Sequence, residues 1–217
     1  MVTKPKVVPR KLSREAFRAL QHAVGKEWVS EDRAIVEGYV VSTVDVGCSL
    51  RVLHRDPSVR AAAVVLPAST EEVQEVVRIA NRYGFPVTPY SNSQVNSACP
   101  VAGTVLISMR RMNKIEVDEE NMRMTIQPFI DYGKIHHEAA KRGLWLGGSG
   151  WHGAIAKPCS QFSTAGLWQS DLKMSGLSRN TLGMKVVMAD GSLLRLGSAA
   201  VAGTGEVPFT ERFPGPN

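Results

Sequence analysis

The feature that most constrains the fold is a capped amphipathic segment between two short apolar runs. Val64, Val65 and Leu66 form the first run, closed by Pro67. Ser69 and Glu72 follow at the spacing that lets a hydroxyl and a carboxylate satisfy free N–H groups at a helix start. Val73, Val76, Val77 and Ala80 make one apolar stripe, Glu71, Gln74, Glu75 and Arg78 the opposite face, and Gly84 stops the helix. Phe85 to Thr88 reads as a returning strand. Strand, helix and strand in this order predict a βαβ unit, a parallel pair joined by a crossover.

Around this unit the chain alternates short elements. Ser13 caps a helix whose apolar residues Ala16, Phe17, Leu20, Ala23 and Val24 follow helical spacing, with Gly25 ending it. Residues 28–57 read as irregular, with an extended patch at Ala34–Val41. Val105–Met109 is a third strand. Residues 115–117 and 122–126 form a hairpin in which Met122, Met124 and Ile126 point inward by alternation. Met109, Met112, Met122 and Met124 are expected to fill gaps in the core. Asp131 starts a further helix with Ile135 and Ala139 inward and Gly143 after it, and Asp190-Gly191 turns a final hairpin between 184–189 and 192–196. The order predicts an α+β fold. Two long loops, 90–103 and 147–183, interrupt it; such loops are functional or disordered. Their small residues let a ligand approach the backbone, whose unpaired N–H groups suit phosphate oxygens.

Hydrophobic residues at 43% and charged residues at 21% place the chain among ordinary globular proteins rather than disordered ones. No apolar run is long enough to span a bilayer, and Met1 to Lys11 lacks the apolar stretch of a secretory signal, so a cytoplasmic location is expected. The net charge of +6 raises nucleic-acid binding as a possibility. Much of the excess sits at Lys4, Lys6, Arg10 and Lys11, however, and no nucleic-acid motif accompanies it. Cys48, Cys99 and Cys159 are scattered and odd in number, which predicts reduced thiols and neither a disulfide framework nor a metal pair. His136 and His137 are adjacent on a helix and point to different sides, so no shared metal is expected.

Taken in order, these segments resemble the flavin-binding domain shared by vanillyl-alcohol oxidase, p-cresol methylhydroxylase, D-lactate dehydrogenase and glycolate oxidase. The matching features are Val65-Leu66-Pro67 into Ser69-Thr70-Glu71-Glu72-Val73, then Gly84-Phe85-Pro86-Val87-Thr88-Pro89, then Leu106 to Ile115 with its Arg111-Met112-Asn113. The hairpin, Arg142-Gly143-Leu144 and Val186-Val187-Met188-Ala189-Asp190-Gly191 follow, and Trp28-Val29-Ser30-Glu31-Asp32 precedes them. The resemblance covers about two thirds of the chain. It implies two small α/β subdomains of the p-cresol methylhydroxylase type: 1–27 as basic tail and N-terminal helix, 28–103 as the first subdomain, and 104–217 as the second, incomplete at its C-terminus.

The resemblance also implies FAD and where it is held. The family's pyrophosphate loop, usually Arg-Gly-x-Gly-x-Ser, corresponds to Tyr90, Ser91, Asn92, Ser93 and Gln94; the glycines are absent and Tyr90 replaces the arginine, while the Ser and Asn side chains keep donors for phosphate. The second flavin segment corresponds to Gly147, Gly148, Ser149 and Gly150 and, further on, Cys159, Ser160, Gln161 and Ser163. His152 is the one candidate for a base near the flavin ring, and Lys157 is a further neighbour of it. A loop histidine satisfied by backbone is the plainer alternative. Cys159 and Cys99 could carry a covalent flavin, against the simpler reading of packed free thiols. Trp145, Trp151 and Trp168 cluster around the second loop, where flavin stacking competes with ordinary core or interface packing. The implied function is an FAD-binding subunit of a flavin-dependent oxidoreductase, its flavin site completed by a complementary flavoprotein subunit, with an electron-transfer subunit as a further implied partner. The alternative is a degenerate, non-catalytic scaffold subunit that keeps the fold.

Overall fold

The computed structural model describes residues 11–40, 59–91, 100–146, 150–159 and 181–197. The chain divides into two compact units, residues 1–111 with 189–191, and residues 112–188 with 192–217.

In the first unit, α1 (Arg14–Val24) begins where Ser13 Oγ accepts a hydrogen bond from Ala16 N and ends at Gly25, whose φ of 96° a side chain would resist. It buries Ala16, Leu20 and Val24. The sheet contains β1 (Val29–Ser30), β2 (Ala63–Val65), β3 (Val87–Tyr90) and β4 (Val105–Ser108) in the order β1-β2-β4-β3. Between β2 and β3 in sequence lies the longest helix of this unit among the described residues, α3 (Thr70–Tyr83). Its cap is a variant of the expected box: Ser69 Oγ accepts from Glu72 N at 3.2 Å, but the Glu72 carboxylate accepts from Ala68 N at 2.7 Å. Gly84 closes α3 in the left-handed conformation, and Val73, Val76, Val77, Ile79 and Ala80 form its buried stripe.

The crossover is present, but its two strands are not neighbours. β2 and β3 each pair in parallel with β4, which lies between them. All of β4 is buried, so it occupies the position covered on both faces. β3 is partly exposed and contains Pro89, which cannot donate to a ladder and suits an edge.

A second difference lies at Ala34–Val41, expected to be extended. Arg33–Val40 is a helix, α2. Asp32 Oδ1 accepts from Ala34 N at 2.9 Å and Ile35 N at 3.2 Å, and the Arg33–Glu37 pair at 2.6 Å spans the first turn. Val36 and Tyr39, three residues apart, pack on Ala61, Val64 and Leu106. Burial on the sheet outweighs the extended preference of the β-branched residues.

The second unit holds the antiparallel pairs β5 (Ile115–Asp118) with β6 (Arg123–Ile126) and β7 (Gly183–Val187) with β8 (Leu193–Gly197). Asp118 closes the first turn by accepting from Asn121 N, Asn121 Nδ2 and Arg123 Nε. Met122 does not fill a core gap: it sits in the turn at φ 49° and is 76% exposed, whereas Met112 is buried. Helix α4 (Tyr132–Ala140) is capped by Asp131, whose Oδ1 accepts from Lys134 N at 2.9 Å, and it buries Tyr132, Ile135 and Ala139. Among the described residues no helix is long and apolar enough to cross a membrane.

Candidate functional site

Parallel strands of one sheet deliver their C-terminal ends, and the loops that follow, to one edge, where ligands of open α/β sheets bind. In the first unit that edge is formed by the ends of β3 and β4. Tyr90 and Ser108 close the two strands and stand opposite each other in the register. Ser91 follows Tyr90 directly. Alternation puts Leu106 and Ser108 on one face of β4. Since Leu106 packs on Val36 and Tyr39 of α2, Ser108 faces the side that carries Tyr39. The Tyr39 and Tyr90 rings meet edge-on, with centroids 4.9 Å apart. The Arg110 guanidinium lies over the Tyr39 ring at 5.1 Å.

Two hydroxyls at this edge are unsatisfied. Ser91 Oγ and Ser108 Oγ are both shielded from solvent and have no hydrogen-bond partner among the described residues. A buried hydroxyl left unpaired costs about 1–3 kcal/mol, so such groups normally serve a ligand or a strained site. Thr104, as buried as Ser108 and four residues before it, shows the contrast: its hydroxyl meets Thr88 Oγ1 at 3.0 Å and Pro86 O at 3.2 Å. Two hydroxyl donors at the strand ends, with a guanidinium over the Tyr39 ring of the same face, fit the phosphate oxygens of a dinucleotide. The residues at this edge therefore fit the phosphate portion of FAD.

The remaining expected site residues fall in the second unit or outside the described residues. Asn92, Ser93, Gln94, Gly148, Ser149, Ser160, Gln161 and Ser163 lie outside them, as do Cys99 and Trp168. Gly150 and His152 share a 3-10 turn, Gly150–Ile155, which kinks at Gly153. Cys159 follows shortly after, and burial pushes its thiol up to about 11, which keeps it protonated and unreactive near neutrality. Lys157, only 8% exposed, meets Asp131 Oδ2 at 3.2 Å and stands 4.4 Å over the Phe129 ring. Trp145 is 68% exposed.

Ser108, Arg110 and Tyr39 were not singled out by the sequence. Ser108 gives one signal, a polar residue ending an otherwise apolar strand. Tyr39 and Arg110 give none, because their proximity depends on α2 docking against the sheet.

Residues 61–197 match the FAD binding domain family. The chain is 28% identical to the probable mitochondrial D-lactate dehydrogenase of Danio rerio, over 76% of this chain and 33% of that protein. It is 29% identical to the 4-cresol dehydrogenase [hydroxylating] flavoprotein subunit of Pseudomonas putida, over 66% of this chain and 28% of that protein. The chain thus spans about a third of the length of these relatives. Among solved structures, p-cresol methylhydroxylase with substrate bound superposes with a TM-score of 0.71 at 22% identity, covering 92% of this chain and 39% of that one, and so shares its fold. The chain belongs to the FAD binding domain family of flavin-dependent oxidoreductases, and its cofactor is FAD.

Proposed function

We propose that this chain is the FAD-anchoring part of a flavin-dependent dehydrogenase or oxidase, and that a complementary polypeptide supplies the remaining flavin and substrate contacts. The observation that carries this reading is the pair of buried hydroxyls, Ser91 and Ser108, which have no partner among the described residues, at the carboxyl edge of the parallel sheet. FAD, when bound, supplies the redox chemistry by accepting a hydride from an organic substrate. The protein's own work is to hold the cofactor's phosphates and fix its orientation, and this reading gives that task to the two serines. The name of the Pseudomonas putida relative, a flavoprotein subunit, supports a partner chain. In this proposal Asn92, Ser93 and Gln94 complete the phosphate loop, Gly148, Ser149 and Gly150 with Cys159, Ser160, Gln161 and Ser163 form the second flavin segment, and His152 is the candidate base.

A scaffold that has lost the cofactor is the second reading, favoured by Tyr90 standing where the resemblance expects an arginine. Purification of the natural assembly separates the two. The expected result is a yellow preparation with a flavin absorbance spectrum that releases FAD on denaturation. An assembly that keeps its partner polypeptide but contains no FAD, and takes none up when it is added, overturns the proposal in favour of the scaffold.

A further inference from the structure

Two neighbouring arginines leave β4, and they have different fates. Arg111 is consumed by the fold: it donates to Leu66 O at 2.9 Å and Val24 O at 3.3 Å, approaches Glu72 at 3.6 Å, and stacks over Trp28 at 4.2 Å. Arg110 is exposed and has neither a carboxylate nor a hydrogen-bond partner among the described residues; its contact there is the Tyr39 ring. Tyr39 in turn is braced by Tyr90. An aromatic ring under a guanidinium restrains its plane while leaving its donors free for an anion. Ser108 lies two residues earlier in the chain and Ser91 follows the residue opposite Ser108, and both hydroxyls lack a partner among the described residues. Ser108 is fully buried and its hydroxyl lies on the face that carries Tyr39.

We infer that Arg110 is the cation that binds the FAD diphosphate, held ready by Tyr39 and Tyr90, with Ser91 and Ser108 donating to the same group. The inference rests on FAD binding at this sheet edge. Its physical content is a relocation of charge: the end of β3 carries the neutral Tyr90, and the end of β4, one strand over, brings the positive charge instead. Tyr90 then acts as a wall of the site and not as a ligand.

The test is an equilibrium titration of the natural assembly, stripped of flavin, with FAD and with riboflavin, which has no phosphate. Loss of charge-assisted hydrogen bonds predicts that Arg110→Ala weakens FAD binding by about 10- to 100-fold. It should also flatten the salt dependence of FAD binding and leave riboflavin binding within about twofold of the unsubstituted protein. Arg110→Lys keeps the charge but not the planar fork and should recover part of the loss. Ser108→Ala should weaken FAD binding while the flavin-free protein unfolds at an equal or higher denaturant concentration, because the deleted hydroxyl has no partner among the described residues to lose. A purely structural serine would lower that midpoint. FAD binding by Arg110→Ala at unchanged affinity and salt dependence overturns the inference alone. Failure of the unsubstituted assembly to bind FAD overturns both the inference and the reading beneath it.

Discussion

At the scale of single residues, the first unit depends heavily on Arg111. One guanidinium satisfies a carbonyl at the end of α1 and another just past β2, and it stacks on Trp28 beside the start of β1. A lysine can supply charge there but not two directed donors and a flat face together. Arg111→Lys is therefore expected to cost about 1–3 kcal/mol, read as a lower urea midpoint with an unchanged slope. A change below about 0.5 kcal/mol, the size of an ordinary surface substitution, would show that the three contacts are dispensable. Cys159 makes the opposite case, a residue whose surroundings silence it. With its thiol pushed up to about 11, only about a thousandth is ionised at pH 8. Alkylation of Cys159, followed by mass spectrometry, should accelerate about tenfold per pH unit up to about pH 10 and level off only near 11. A rate that levels off by pH 9 would contradict the burial assigned to it.

Among the elements, α4 shows how a helix end sets acid sensitivity. Glu138 is held at about 2 by hydrogen bonds from Arg142 and Lys141, well below its ordinary 4.5. A carboxyl whose pKa is lowered by folding stabilises the folded state above its unfolded value, and that contribution is lost as pH falls through the folded one. The pairs are solvent-exposed, so the effect is small. The stability difference between the unsubstituted protein and Glu138→Gln should be constant above about pH 5, shrink between 4.5 and 2, and vanish below that. A difference that persists unchanged to pH 2 would assign it to packing instead of charge. The same scale explains which elements the sequence reveals. Helices α1, α3 and α4 announce themselves through caps and stripes that act within four residues. Helix α2 does not, because Ile35, Val36 and Val40 suit a strand equally well and only the docking of Val36 on Val64 and Leu106 decides between them.

For the whole molecule, cofactor binding should appear as stability. A ligand that binds only the folded state at about 100 times its Kd adds about 2.7 kcal/mol, so FAD should raise the thermal midpoint of the natural assembly in a concentration-dependent way. A midpoint indifferent to FAD up to millimolar concentrations would argue against the site. The edge that carries Ser91 and Ser108 also marks the limit of sequence reading. Tyr90 and Ser91 were legible through their place after a recognisable strand. Ser108 and Arg110 were not, because what makes them a site is the pairing of β3 with β4 and the face that β4 turns toward Tyr39. The caps of α1, α3 and α4, the apolar periodicities, the turns at Gly84 and Gly191, and the family were legible along the chain, since each depends on neighbours close in sequence or on their order. Only long-range packing put β4 between β2 and β3, made residues 33–40 a helix, and tied Arg111 into the fold while Arg110 has no carboxylate partner among the described residues. Those outcomes follow from competition for burial and hydrogen-bond partners among segments far apart in sequence, which no local pattern records.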